Sequence, residues 1–362
     1  PKPVFVPGTM RRHYSKITSH CVPGGRMSDP LGISVIIPCR DDNDNLLKAI
    51  ESLVRCDPAP SEIIIVDDGS VSPVFVDIHD PAIRILRLEA SRGPAFARNE
   101  GARAAREPIL LFLDSDVMVF RDLIDRVRAN YAGYPDASAV QGTYSYEIDD
   151  PGLPSRFQNL YYVFAFNALD PLGSAVCATF CFSILRSIFI DLEGFDTRIP
   201  VPTVEDEAFG YLLASKGMVI RFDSELRVRH LARYSLPRLL RRKFRMSDHQ
   251  MRHLLGGGGR VLAQLARDGR NRTHHRYGTL LAIAIAPVMM IVPLLPSLPA
   301  ITMLALYGLA NFRFWRFCST DRPITRLPGY ILLTWLDHLA IVSGILSGML
   351  HHVTSFRKRG AN

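Results

Sequence analysis

Asp114 and Asp116 stand one serine apart at the end of the stretch Ile109 to Met118, ILLFLDSDVM. The apolar run before them has the pattern of a strand buried on both faces. On an extended backbone, residues i and i+2 point the same way, so two carboxylates can meet one hard cation. An isolated Asp-Ser-Asp is ordinarily a solvated turn, so its neighbourhood must decide. Two further acid clusters lie along the chain, Asp67-Asp68 before Gly69-Ser70 and Glu205-Asp206-Glu207.

Elements that could bring these acids together are legible in the apolar runs. Ile33 to Pro38 reads as a short buried strand, followed by the polar loop Cys39 to Asp44 and a helix from Asn45 with Leu46, Leu47, Ile50, Leu53 and Val54 on one face. Ile63 to Val66 ends in Asp67-Asp68-Gly69-Ser70, and Ile83 to Leu88 leads through Arg92-Gly93-Pro94 into an Ala-rich helix, Ala95 to Arg106. The run to Leu113 is the fourth strand. Strands alternating with helices, with acidic or glycine-containing turns at strand ends, predict an α/β fold with a doubly wound, mostly parallel sheet. Open sheets of this kind place ligands at the C-terminal ends of their strands, where Asp67 and Asp114 fall.

The 362 residues suffice for one large domain and something smaller. A formal net charge of +8 suits anionic partners such as nucleotide diphosphates or acidic lipid surfaces. Nucleic acid fits less well, because the basic runs lack interleaved aromatics on a strand platform. The six cysteines are scattered, and Cys177 and Cys181 have no second Cys/His pair to complete a zinc set, so a reducing interior is expected. No apolar leader opens the sequence; its first residue is Pro1.

The chemistry implied is nucleotide handling. No P-loop pattern is present, and no Gly-x-Gly-x-x-Gly follows the first strand. A diphosphate held by Mg²⁺ or Mn²⁺ fits Asp114 and Asp116 instead, since octahedral cations take one or two carboxylates plus phosphate oxygens and water. Asp67 or Asp68 could accept from a base imide or ribose hydroxyls, while Arg92 and Arg98 could meet phosphate oxygens.

Four segments in register, Ser34 to Pro38 with its acidic loop, Ile65 to Ser70, Arg92-Gly93 with Ala97 to Gly101, and Leu113 to Asp116, resemble the family 2 glycosyltransferases of GT-A fold. The resemblance extends over about Ile33 to His253. It implies inverting transfer of a sugar from a nucleotide-sugar donor, with a divalent metal on the diphosphate. Pro38, Arg40 and Asp42 would then line the base pocket and Asp67 would contact the base. Gly93 and Arg98 would lie near ribose or diphosphate, and Asp114 and Asp116 would touch ribose and metal. One departure is Asp41-Asp42 in place of the usual Asn-Glu. Phe180 to Ser183 and Glu193 to Asp196 resemble the family's acceptor-side segment. The resemblance maps the base that takes the acceptor's proton onto Asp206, with Glu205 orienting it or contacting the acceptor. If the acceptor is already a phosphate, Asp206 would position it instead. His230, after a strand at Leu226 to Val228, falls where relatives place a histidine near metal or diphosphate. The Gln-x-x-Arg-Trp of processive synthases is absent from the following basic stretch, Arg238 to Arg245. There Arg242 and Arg245 would clamp diphosphate, or the stretch would lie on anionic head groups.

The expected organisation is an N-terminal extension (1–31), a catalytic domain (32–232), basic amphipathic interface helices (233–277), a transmembrane region (278–352) and a basic tail (353–362). Thr279 to Ala310 carries no charge and is punctuated by Pro287, Pro293, Pro296 and Pro299; Pro328 to Leu350 is interrupted by Asp337 and His338. Two spans, or a hairpin plus one span, are expected, with the second arrangement favoured by the Pro-rich middle. The expected protein is a membrane-anchored glycosyltransferase with a cytosolic catalytic domain and a lipid or lipid-linked acceptor. A processive polysaccharide synthase and a non-catalytic nucleotide- or lipid-binding membrane protein are the alternatives.

Overall fold

The structure, a computed structural model, describes residues 31–169, 175–198, 204–255, 274–288, 290 and 296–359. The expected N-terminal extension up to residue 30 and residues 256–273 of the expected interface helices lie outside the described residues. Gly32–Asn362 forms one compact unit.

Four apolar runs become strands close to their expected bounds: β1 (Ile33–Cys39), β2 (Glu62–Asp67), β3 (Ile83–Arg87) and β4 (Ile109–Leu113). They pair in parallel in the order β3-β2-β1-β4. Every residue of β2 and β4 is buried, because helices cover both faces of a parallel sheet. The connections are α1 (Asn43–Val54) and α2 (Pro94–Ala104). Gly101 of α2 lies against β1, where an added Cβ would sit 2.5 Å from an Ile36 methyl. Phe112, Phe182, Phe189, Phe195 and Phe209 join this core under the sheet.

Beyond β4 the expected mostly parallel sheet continues with antiparallel pairs added. After β5 (Val117–Val119) and α3 (Leu123–Gly133), β6 (Ala137–Tyr144), α4 (Leu153–Asn167), β7 (Cys181–Leu185), α5 (Arg186–Asp191), α6 (Val204–Ser215) and β8 (Val219–His230) complete eight strands. β7 is antiparallel to both β4 and β6, and β5 is antiparallel to β8. The sheet is therefore mixed, and its second half carries the walls that face the acids.

α7 (Leu236–His253) begins at Ser235, whose hydroxyl accepts from the Arg238 N–H. Beyond it come α8 (His274–Ile285), α9 (Ser297–Cys318) and α10 (Leu327–Arg359). α8 has 12 residues, about 18 Å at 1.5 Å per residue, against a hydrocarbon core of about 30 Å. Among the described residues one helix, Ile324–His352, is long and apolar enough to cross a membrane, and 33% of its most apolar stretch is buried. The expectation of two or three spans is thus not supported. Inside the first apolar run α8 ends at Ile285, two residues before Pro287, Pro296 caps the start of α9, and α9 carries on into the basic stretch as far as Cys318.

α10 is fastened to the sheet domain at two places. Arg156 of α4 pairs with Asp321, which also accepts from Tyr330 at 2.5 Å. Lys243 of α7 pairs with Asp337 at 3.3 Å, both buried, with the ammonium 4.2 Å from the Tyr161 ring centre.

Candidate active site

Because β1, β2 and β4 run in parallel, their C-terminal ends deliver Arg40 to Asp42, Asp67-Asp68 and Asp114 to Asp116 to one edge of the sheet. Asp67 and Asp68 build this edge from within. Asp67, 1% exposed, accepts the N–H groups of Ser70 (2.9 Å) and Val74 (3.1 Å) and is paired with Arg87. Burial opposes its ionisation, but these donors outweigh it and hold the carboxyl below its usual range. Asp68 accepts from Arg92 N (2.7 Å), Gly93 N (3.0 Å) and Ser91 Oγ (2.8 Å), drawing the loop before α2 against the end of β2. Gly69, at φ +64°, lies so close to this loop that a Cβ would meet the Ser91 nitrogen at 2.5 Å. The oxygens expected to read a base are thus largely committed to holding the rim in shape.

Above them, Arg40 is exposed and donates to Ser91 Oγ at 2.9 Å. Asp42 accepts from Asn45 (2.8 Å) and from Ser115 Oγ (3.2 Å), linking the first loop to the Asp-Ser-Asp turn. Burial, with the Asp116 charge adding to it, raises its carboxyl.

Arg98 joins two of the acid clusters. Its guanidinium, 5% exposed, donates to Asp114 Oδ1 at 2.8 Å and to Glu205 Oε1 at 3.1 Å. It therefore faces protein carboxylates and holds the Asp-Ser-Asp turn and the first turn of α6 against one cation. Two atoms here, Arg98 Nε and Glu205 Oε2, are buried without a hydrogen-bond partner. α6 starts at Val204, so Glu205, Asp206 and Glu207 occupy its first turn, where the macrodipole favours anions. Burial lifts Asp206 well above the usual carboxylate range; repulsion from Glu205 and Glu207 adds to it, and the Arg98 charge opposes it. A raised carboxyl beside a cleft is the environment expected of a general base near neutral pH.

On the other side, His230 Nε2 is 3.5 Å from Asp116 Oδ2. The His230 ring stacks on Tyr144 at 4.7 Å, and Tyr144 stacks on Phe180 at 4.0 Å. Burial opposes ionisation of Asp116, but the His230 hydrogen bond and the charges of His230 and Arg242 together hold its carboxyl low. Arg242 reaches this wall from α7, donating to Tyr234 Oη at 2.6 Å and Tyr162 Oη at 3.3 Å. Arg245, expected beside it, is instead exposed. Spacing gave no sign of Tyr144, Tyr162 and Tyr234, because they come from β6, α4 and the turn before α7.

A cation was expected on Asp114, Asp116 and His230. Among the described residues, no group of three or more His, Cys, Asp or Glu side chains is gathered as a ready-made metal site. Asp114 is engaged by Arg98, and His230 faces Asp116. Asp116, 28% exposed, remains as a carboxylate at the cleft edge. This donor set fits a Mg²⁺ or Mn²⁺ ion whose other ligands come from phosphate and water, and does not fit an all-protein cage.

The mixed sheet, with acid-bearing loops at one edge and an acidic helix start across the cleft, defines a GT-A-type fold. Residues 34–193 match the pattern described as glycosyl transferase family 2, so the chain carries a family 2 glycosyltransferase domain. Succinoglycan biosynthesis protein ExoO of Rhizobium meliloti is 36% identical over 106 residues, covering 28% of this chain and 30% of that protein. The pre-mycofactocin glycosyltransferase of Mycobacterium tuberculosis (strain ATCC 25618 / H37Rv) is 27% identical over 227 residues, 58% of this chain and 45% of its own. The chain thus spans less than half the length of either relative. Among solved structures, a mannosyltransferase from Pyrobaculum calidifontis in complex with GDP-Man and Mn²⁺ superposes with a TM-score of 0.60 at 17% identity, covering 89% of this chain and 88% of that one. At that identity it supports the fold.

Proposed function

We propose that this chain transfers a sugar, with inversion, from a nucleotide-sugar donor to an acceptor hydroxyl. The observation that carries this reading is Arg98, which holds Asp114 on the donor side and Glu205, next to Asp206, on the other side of one cleft. The donor lies along the edge formed by Pro38, Arg40, Asp42, Asp67 and Gly93. The Asp206 carboxylate takes the proton of the incoming hydroxyl as its oxygen bonds to C1. The C1–O bond to the nucleoside diphosphate breaks on the opposite face, and the diphosphate departs with the electron pair. A divalent cation bound through Asp116, with Asp114 beside it, would neutralise charge on that diphosphate. Arg242, framed by Tyr162 and Tyr234, supplies a further positive charge for phosphate.

The acceptor in this reading is a lipid or lipid-linked molecule, and the catalytic domain (32–232) works on the cytosolic face of a membrane. Support comes from the apolar helix Ile324–His352 and from the outward side chains of Leu298, Ile301, Leu309 and Phe312 on α9. The basic helix α7 lies between that region and the cleft. The test is mass spectrometry of products formed by the purified chain in anionic vesicles containing polyprenyl phosphate or glycolipid, supplied with a panel of nucleotide sugars. One adduct of a single sugar is expected. A ladder of products would indicate a processive synthase, and donor binding without transfer or hydrolysis a binding protein.

A further inference from the structure

Helix α7 touches the cleft at two points two turns apart. Arg242 enters the tyrosine wall beside Asp116, and Gln250 Nε2 donates to both carboxylate oxygens of Glu207, at 3.0 and 3.1 Å. Glu207 is the neighbour of Asp206, and its own backbone N–H donates to Asp206 Oδ1 at 2.8 Å. Gln250 therefore grips the helical turn that carries the candidate base, from an element that follows it by 43 residues.

The other face of α7 is received by α10 at close range. A Cβ on Gly344 would fall on the Phe244 carbonyl oxygen, and one on Gly348 would lie 2.6 Å from the Asp248 carbonyl oxygen. Two glycines four apart let the two backbones meet, as in small-residue contacts between membrane helices. The buried Lys243–Asp337 pair stands at the same interface and fixes which turn of α7 meets which turn of α10.

We infer that Gln250 is a positioning residue for sugar transfer: seated by the Gly344/Gly348 face of α10, it fixes the first turn of α6 so that Asp206 meets the acceptor. This rests on the glycosyl-transfer reading above. It assigns a task to the candidate membrane helix beyond anchoring, since α10 sets the register of the helix that braces the base. Gln250 acts through Glu207 and need not touch donor or acceptor.

The experiment uses the full chain in vesicles. Gln250→Glu keeps the shape of the side chain but sets a second carboxylate against Glu207. Loss of one hydrogen bond to a charged group predicts kcat lower by about ten- to a hundredfold, with the KM for donor unchanged. Glu207→Gln in the same chain restores a donor–acceptor pair with its polarity reversed, and kcat returns to that of the Glu207→Gln single variant. Hydrogen exchange of residues 204–210, without substrate, reports the same contact independently of activity. Exchange is faster in Gln250→Glu and restored in the double variant. Unchanged exchange and unchanged kcat in Gln250→Glu, or a double variant no better than Gln250→Glu alone, overturns the inference. A wild-type chain that transfers no sugar overturns the glycosyl-transfer reading instead, and the exchange measurement still decides whether Gln250 braces α6.

Discussion

Arg98 and Glu205 meet at 3.1 Å across 107 residues of sequence, and both are almost wholly buried. The same guanidinium holds Asp114 at 2.8 Å, so one side chain ties the end of β4 to the start of α6. Burial disfavours the Arg98 charge, but Asp114, Glu205 and Asp206 outweigh it and keep the cation firmly protonated. Replacing Arg98 by Ala leaves Glu205 buried without its counter-ion, a change expected to destabilise by about 3–5 kcal/mol. Arg98→Lys should recover only part of this, because a single ammonium does not reproduce two fork contacts. Urea unfolding of the three proteins measures the difference; equal midpoints would show that the bridge contributes nothing.

Asp206 gives a prediction of opposite sign for stability and activity. Its carboxyl is raised in the folded chain, so the native state binds the proton more tightly than the unfolded state does. Between the ordinary carboxylate range and the raised value, stability therefore falls as pH increases. Asp206→Asn removes that penalty, and its Tm at neutral pH should exceed that of the wild type while transfer is lost. A lower Tm would mean that the ionised carboxylate is held by favourable contacts.

The rate should follow the same group. A general base works ionised, so kcat should fall on acidification at a pH above the ordinary carboxylate range. The groups that act on Asp206 are Glu205 and Glu207 on its own helix and Arg98 from α2. Glu207→Gln removes one repulsion and should move the acid limb of the kcat profile to lower pH. A limb that stays in place assigns it to another group.

At the α7–α10 interface, Lys243→Met alone strands Asp337, 1% exposed, and should destabilise by about 3–5 kcal/mol. Lys243→Met with Asp337→Leu removes both charges and should recover most of the loss. A double variant as unstable as the single one would show that the pair is not the source.

Much of the acid-bearing edge of the sheet was legible in the sequence, and the reason is local. Four apolar runs ending in Pro38, Asp67, Arg87 and Leu113 each fix one strand and the loop after it, and parallel pairing brings those loops together without further information. The first turn of α6 was less plain: Glu205-Asp206-Glu207 reads equally as a helix start, and the structure places all three acids in one. What stayed hidden depends on contacts between distant segments. Arg98 has the look of a phosphate ligand, yet Asp114 and Glu205 claim it, a pairing that spacing does not encode. Tyr144, Tyr162 and Tyr234 converge on Arg242 only because the sheet turns antiparallel at β7. The apolar run from Thr279 suggested spans by composition, whereas Pro287 and Pro296 divide it into helices whose length and packing composition does not report.

The central claim is that donor binding and proton removal belong to different acids in one cleft. Calorimetric titration of a nucleotide sugar with Mn²⁺, alongside single-turnover transfer, separates them in Asp116→Asn and Asp206→Asn. Asp116→Asn should lose metal-dependent donor binding, and Asp206→Asn should bind donor as the wild type does while transferring sugar slower by orders of magnitude. Wild-type transfer by Asp206→Asn, or unaltered donor and Mn²⁺ binding by Asp116→Asn, would contradict the account.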